Sequence, residues 1–118
     1  MQKNTGLKRI FLAFGYSIKG LKSAFKHEAA FRQEILLAVI LIPTAFILDV
    51  SQVERILLIS PVILMIIFEI INSAIEAVVD RISPEFHELA GRAKDMGSAA
   101  VLIGLALTAY IWIEILFF

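Results

Sequence analysis

Residues 99–118, AAVLIGLALTAYIWIEILFF, run for twenty positions with one charged side chain, Glu114. About 20 apolar residues in a helix match the hydrocarbon thickness of a bilayer, where unpaired backbone groups are too costly for any irregular chain. Two further apolar runs precede it, ILLAVILIPTAFIL at 35–48 and ILLISPVILMIIF at 56–68. Each is too short to span alone. The first must recruit residues 29–34, and the second must continue through FEIINSAIEAVVD to about residue 79. Polar side chains of both are thereby carried to membrane depth or to its edge. The predicted fold is an all-α membrane protein of one domain. It has an amphipathic surface helix over 7–27 and transmembrane helices over about 29–48, 54–82 and 95–118.

Composition agrees. Hydrophobic residues make up 59% of the 118 positions and the mean hydropathy is +0.86, above the roughly 45–50% apolar share of soluble domains. The absence of cysteine excludes disulfides, thiolate catalysis and Cys-based zinc sites. A cleaved signal peptide is not expected, because the first apolar run starts late and no small-residue cleavage site follows it. Pro43 and Pro61 fall inside predicted helices and are expected to bend them.

Net charge is zero, yet residues 1–27 hold six basic side chains (Lys3, Lys8, Arg9, Lys19, Lys22, Lys26) and no acid. The 81–98 linker adds Arg81, Arg92 and Lys94, whereas the 49–55 turn, DVSQVER, has one Arg and two acids. The positive-inside rule then puts the N-terminus and the 81–98 linker in the cytoplasm, with the short turn and the C-terminus outside. Tyr110, Trp112 and Glu114 are read as anchors at the outer interface. In the basic arm, Leu7, Ile10, Phe11, Phe14, Ile18, Leu21 and Phe25 recur at helical spacing between the lysines. This is the pattern of a basic helix lying in the headgroup plane, expected to bend or break near Gly15 or Gly20.

The second span poses the chemical question. With Glu69 at zero and about 100° per residue, Asn72 falls near −60°, Ser73 near +40°, Glu76 near −20° and Asp80 near +20°. The five share one stripe, while Ile70, Ile71, Ala74, Ile75, Ala77 and Val78 fill much of the remaining circumference. An acidic side chain at mid-span costs about 2.5–3.5 kcal/mol on insertion scales, so this face cannot look at lipid. Carboxylates with an amide suit a hard cation such as Mg²⁺, and a proton or cation pathway would use the same groups. Residues 81–101, RISPEFHELAGRAKDMGSAAV, place a Ser-Pro break and then crowd charges together with two glycines. No Walker A loop and no G-x-G-x-x-G occurs. A nucleotide would have to be held by side chains and metal.

Three stretches carry a resemblance: E-x-x-N-S-A-I-E-x-V-V-D at 69–80, H-E-L-A-G-R-A-K-D-M-G-S-A-A-V at 87–101, and EAAFRQE at 28–34. Together they resemble the prokaryotic diacylglycerol kinase family, over essentially the whole chain. The resemblance implies an integral lipid kinase of the bacterial inner membrane. It would form a homotrimer with sites shared between subunits, and would move the γ-phosphoryl group of Mg·ATP to the hydroxyl of diacylglycerol. Glu69 would be the catalytic base, and Glu28 and Glu76 the Mg²⁺ ligands, with Asn72 and Asp80 in support. Arg9, Tyr16, Glu28, Glu76, Glu85, Phe86, His87, Lys94 and Asp95 would hold ATP, although Phe86 stands where the family pattern has a tyrosine. Arg9, Ser17, Ala30, Phe31, Arg32, Gln33, Glu34, Glu69 and Ser98 would line the lipid substrate's path. No nucleic acid is expected as a partner. Trimerisation also has a physical motive, since three helices are few to screen so many polar groups from lipid.

Two rival readings stay open at the level of sequence. An undecaprenol kinase of the same superfamily would share the E-x-x-N-x-x-x-E core. A non-enzymatic cation or proton conductor would use the Glu69–Asp80 stripe, but those acids gather at one end instead of crossing the bilayer. The third span also offers only Thr108 and Glu114 as plainly polar groups.

Overall fold

The computed structural model describes residues 5–82, 85 and 87–118. These form four helices: α1 (Gly6–His27), α2 (Ala29–Ile47), α3 (Gln52–Ile82) and α4 (Glu88–Phe117). The described residues include no strand. Helices α2, α3 and α4 are each long and apolar enough to cross a membrane. Helix α3 is the centre of the layer, packed most extensively on α4 and then on α2, while α1 makes its main contact with α2. The radius of gyration is 17.4 Å, against about 13.5 Å for a compact soluble domain of this length. The chain is thus an open layer, with large apolar side chains such as Leu36, Ile71, Leu102 and Ile113 facing outward.

Chain breaks sit where local chemistry can cap the helices. Glu28 is extended (φ −116°, ψ 108°), ending α1 and opening α2. Its N–H still donates to the Ala24 carbonyl at 2.9 Å. The Arg32 guanidinium reaches back across this elbow and donates to the carbonyls of Phe25 (2.7 Å) and Lys26 (3.2 Å). A cation on the last carbonyls of a helix satisfies orphan acceptors and opposes the negative end of the dipole. At the start of α3 the Ser51 hydroxyl accepts from Glu54 N–H (3.1 Å), and Glu54 accepts from Ser51 N–H (2.9 Å). This is a reciprocal capping box.

Several expectations need correction. Helix α1 runs unbroken through Gly15 and Gly20. Both glycines face open space, so each costs only about 1 kcal/mol of propensity and nothing forces a break. The 81–98 segment is not a linker, because α4 begins at Glu88 and holds Gly91, Arg92, Lys94, Asp95 and Gly97 within its first three turns. The His87 side chain starts that helix by accepting from Leu89 N–H at 3.1 Å. Glu88 then stands in the first turn, where a carboxylate suits the dipole. The expected Ser83–Pro84 break lies outside the described residues.

Trp112 is buried instead of lying in an interfacial belt. Its indole N–H donates to the Leu58 carbonyl on α3 at 2.9 Å. Ala45, Leu58 and Trp112 form a buried apolar cluster, flanked by Leu41, Leu48, Val50, Ile59 and Ile115. This closes the end of the layer away from the α1–α2 elbow. Beside it the Arg55 guanidinium donates to the Ala45 carbonyl at 3.2 Å and lies 6.0 Å from the centre of the Phe46 ring.

Candidate functional site

The polar stripe of α3 turns inward. Glu69, Asn72 and Ser73 are buried, at 4%, 8% and 8% exposure, Glu76 is half-buried and Asp80 is exposed. Helix length explains the gradient. Thirty-one residues extend for about 46 Å, and the hydrocarbon is about 30 Å thick, so some turns of α3 must emerge from it. The stripe occupies the C-terminal turns, where a buried carboxylate can still meet water or headgroups.

A cavity of about 470 Å³ opens on this stripe. Glu28, Ala29, Ala30, Gln33 and Glu34 line it from the elbow and α2, Glu69, Asn72 and Glu76 from α3, and Ser98, Val101 and Leu105 from α4. Four carboxyls therefore surround one space, and among the described residues no lysine or arginine lines it. Such a cavity focuses negative potential and attracts cations. Glu34 and Glu69 are both buried where they line this space, and Glu28 and Glu76 line it beside them. Asn72 Nδ2 donates to Glu76 Oε1 at 3.1 Å. Among the described residues, Glu34 Oε1, Asn72 Oδ1 and Ser73 Oγ are buried without a hydrogen-bond partner. Unpaired buried polar atoms are costly, about 1–3 kcal/mol each, and two of these three belong to residues that line the cavity.

Other residues singled out in the sequence stand elsewhere. Lys94 Nζ pairs with Asp80 Oδ1 at 2.7 Å across the α3–α4 seam, one turn beyond Glu76. Asp95 is exposed on α4, and Glu85 is exposed in the bend before it. His87 lines a second, more apolar cavity of about 420 Å³ with Val79, Ile82, Leu89, Ala90 and Ala93. Phe31 is buried in the helix packing, and Arg32 is engaged with the carboxyl end of α1. Arg9, Tyr16 and Ser17 lie exposed along α1, none of them lining the carboxyl cavity of the single chain. Phe86 lies outside the described residues.

Two features escape a reading of the sequence. Arg32 as a strut of the elbow could be suspected from its place in the first turn of α2. The close approach of Gly97 to Asn72 leaves no such trace, because a glycine in a helix advertises nothing about its neighbour.

The family model described as prokaryotic diacylglycerol kinase matches residues 15–116. The chain belongs to the prokaryotic diacylglycerol kinase family. It is 54% identical to the diacylglycerol kinase of Haemophilus influenzae over 118 residues, covering all of both chains. It is 56% identical to that of Pseudomonas aeruginosa over 95% of this chain and 91% of the relative. With that of Escherichia coli K12 it shares 57% identity over 92% of this chain and 88% of the relative. Membership in this kinase family and three apolar spanning helices make the chain a multi-pass membrane enzyme.

The cavity suits a divalent cation in chemistry. Its donors are all oxygen, its lining is uncompensated negative, and two unpaired buried acceptors belong to it. Among the described residues no three His, Asp or Glu side chains converge tightly enough to hold an ion alone. A Mg²⁺ ion there would bind through one or two of the carboxylates and complete its shell with waters or substrate phosphates.

Proposed function

We propose that this protein phosphorylates the hydroxyl of diacylglycerol with Mg·ATP, giving phosphatidic acid. The observation that supports the reading best is the cavity itself: Glu28 of the elbow lines one space with Glu69, Asn72 and Glu76 at the emerging end of α3. Phosphoryl transfer demands positioning and neutralised charge more than covalent chemistry. In this mechanism the hydroxyl oxygen of the lipid attacks the γ-phosphorus, its bond to phosphorus forming as the bond to the β–γ bridging oxygen breaks. ADP leaves, and Glu69 takes the hydroxyl proton. A free carboxylate is a weak base for an alcohol, so alignment inside a water-poor cavity has to supply the advantage.

Glu28 and Glu76 would hold a Mg²⁺ ion, which would supply charge neutralisation to the phosphates of ATP. Asn72 fixes the Glu76 carboxylate. Lys94 reaches the phosphates by leaving Asp80, one turn away. The nucleotide lies toward Glu85, His87 and Asp95. The lipid enters laterally past Ala30, Gln33 and Ser98, so its chains never leave the hydrocarbon. Arg9, Tyr16 and Ser17 come to such a site from the surface helix of the same or a neighbouring subunit of a homotrimer. The cytoplasmic leaflet of a bacterial inner membrane is the setting, with the N-terminus in the cytoplasm and the C-terminus outside.

A polyprenol presents its hydroxyl at a similar depth, so depth alone does not choose the acceptor. The family membership and the diacylglycerol kinase names of its relatives favour diacylglycerol, and they speak against a passive conductor. The decisive experiment offers short-chain diacylglycerol and undecaprenol together in mixed micelles with labelled ATP and purified protein. Label is expected in phosphatidic acid. Label mainly in polyprenyl phosphate overturns the acceptor, and label in neither lipid overturns the kinase.

A further inference from the structure

Helices α3 and α4 approach closely at two glycines of α4, and the two approaches differ in kind. At Gly104 an added Cβ would meet the Phe68 ring at 3.0 Å and 3.4 Å and the Met65 Cα at 3.6 Å. These are apolar neighbours, as expected where small residues let membrane helices touch. At Gly97, which is buried, an added Cβ would collide with Asn72 Oδ1 and stand 3.2 Å from its Cγ. That neighbour is the amide whose other end holds Glu76.

We infer that Gly97 is a positioning residue of the phosphoryl-transfer site, acting through Asn72 on Glu76; the inference rests on the function proposed above. Asn72 is a planar lever with one end on each helix contact. Nδ2 donates to Glu76 Oε1 at 3.1 Å. Oδ1 is buried without a conventional donor and lies against Gly97 of α4, a position that carries no side chain. Any side chain at 97 must push the oxygen away. Because the amide is rigid and buried, turning Oδ1 also swings Nδ2 off Glu76. The alternative is for α4 to step back, which would shift Ser98 at the cavity wall by the same movement.

This gives Gly97 a role beyond letting helices pack. The carboxylate of Glu76 can rotate about its own side chain, and a cation site needs it held. Amide, glycine and carboxylate form one column from α4 through α3 to the cavity, and only the last member would touch the ion.

The test uses purified protein in detergent as wild type, Gly97→Ala, Asn72→Ala, the double variant, and Gly104→Ala. Three quantities are read: kcat for lipid phosphorylation, the Mg²⁺ concentration at half-maximal rate, and the side-chain amide ¹H–¹⁵N signal of Asn72. That signal is identified by its loss in Asn72→Ala. Gly97→Ala is expected to move the Asn72 signal and to raise the Mg²⁺ requirement about tenfold or more, the usual scale for a group that orients a metal ligand. Gly104→Ala is expected to leave the Asn72 signal in place. In the Asn72→Ala background the Oδ1 and Cγ that a methyl at position 97 would meet are gone, and the Cβ of residue 72 stands 3.7 Å away, an ordinary contact. The second substitution there should cost less than about twofold in kcat, the non-additivity of two residues acting as one. Additive losses, an unmoved Asn72 signal in Gly97→Ala, or an equal Mg²⁺ shift in Gly104→Ala each overturn the inference. A wild type that phosphorylates no lipid would overturn the proposed function instead, and the amide signal would still decide whether Gly97 sets Asn72.

Discussion

The two ends of the three-helix layer are built on opposite rules. At the end remote from the elbow, Ala45, Leu58 and Trp112 close an apolar cluster. The polar groups beside it are paired within the chain, the indole with Leu58 and Arg55 with Ala45. At the elbow end the helices part around four carboxyls, and acceptors of Glu34 and Asn72 are buried unpaired. One end pairs its indole and guanidinium groups internally, while the other gathers carboxyls around a cavity. Unpaired polar atoms are costly in a membrane, and that asymmetry supports placing the proposed site at the second end.

Substitutions should therefore separate activity from stability by position. The largest effect is expected at Glu69: Glu69→Gln should lower turnover by about 10²–10⁴, the range for a positioned base, with unfolding temperature unchanged in the same micelles. Turnover within tenfold of wild type would remove Glu69 from the base role. Next comes Lys94→Leu. It deletes the charge that the proposed mechanism brings to the phosphates and leaves Asp80 without its Lys94 partner, so kcat should fall by about 10²–10³. Should activity per folded protein survive with only the membrane orientation altered, Lys94 is a topological charge.

Glu76→Gln and Glu28→Gln are expected to lose about 10–100-fold at low Mg²⁺ and to recover in part as Mg²⁺ is raised. Identical Mg²⁺ titrations for both variants and wild type would break the pairing. The smallest effect on chemistry, and the clearest on stability, belongs to the closed end. Trp112→Phe removes the indole hydrogen bond to the Leu58 carbonyl and should cost about 0.5–1.5 kcal/mol of stability, while activity per folded protein stays within about twofold. An activity loss as deep as that of Glu76→Gln would mean the two ends are coupled, and the contrast between them would fail.

Much of the molecule is legible in the sequence, for a definite reason. Lipid leaves a chain few options, so run length and apolarity declare the three spans, and the spacing of Glu69, Asn72, Ser73 and Glu76 declares an inward face. The Ser51-x-x-Glu54 capping box is equally local, although composition alone marks the segment only as a turn. The start of α4 is harder to read, because charged residues and glycines resemble a linker by composition. They form a helix because His87 caps it and α3 packs against it.

Sequence by itself determined that the chain is helical, that it crosses a membrane and that one stripe of α3 is polar, because those properties follow from local periodicity and solvent. Only the tertiary structure decided that Glu28 of the elbow and Ser98 of α4 share a cavity with that stripe, that Arg32 braces the elbow, that Trp112 turns inward to Leu58, and that Gly97 bears on Asn72. Each of these depends on how close two helices come, and the distance between helices is set by the side chains of both at once.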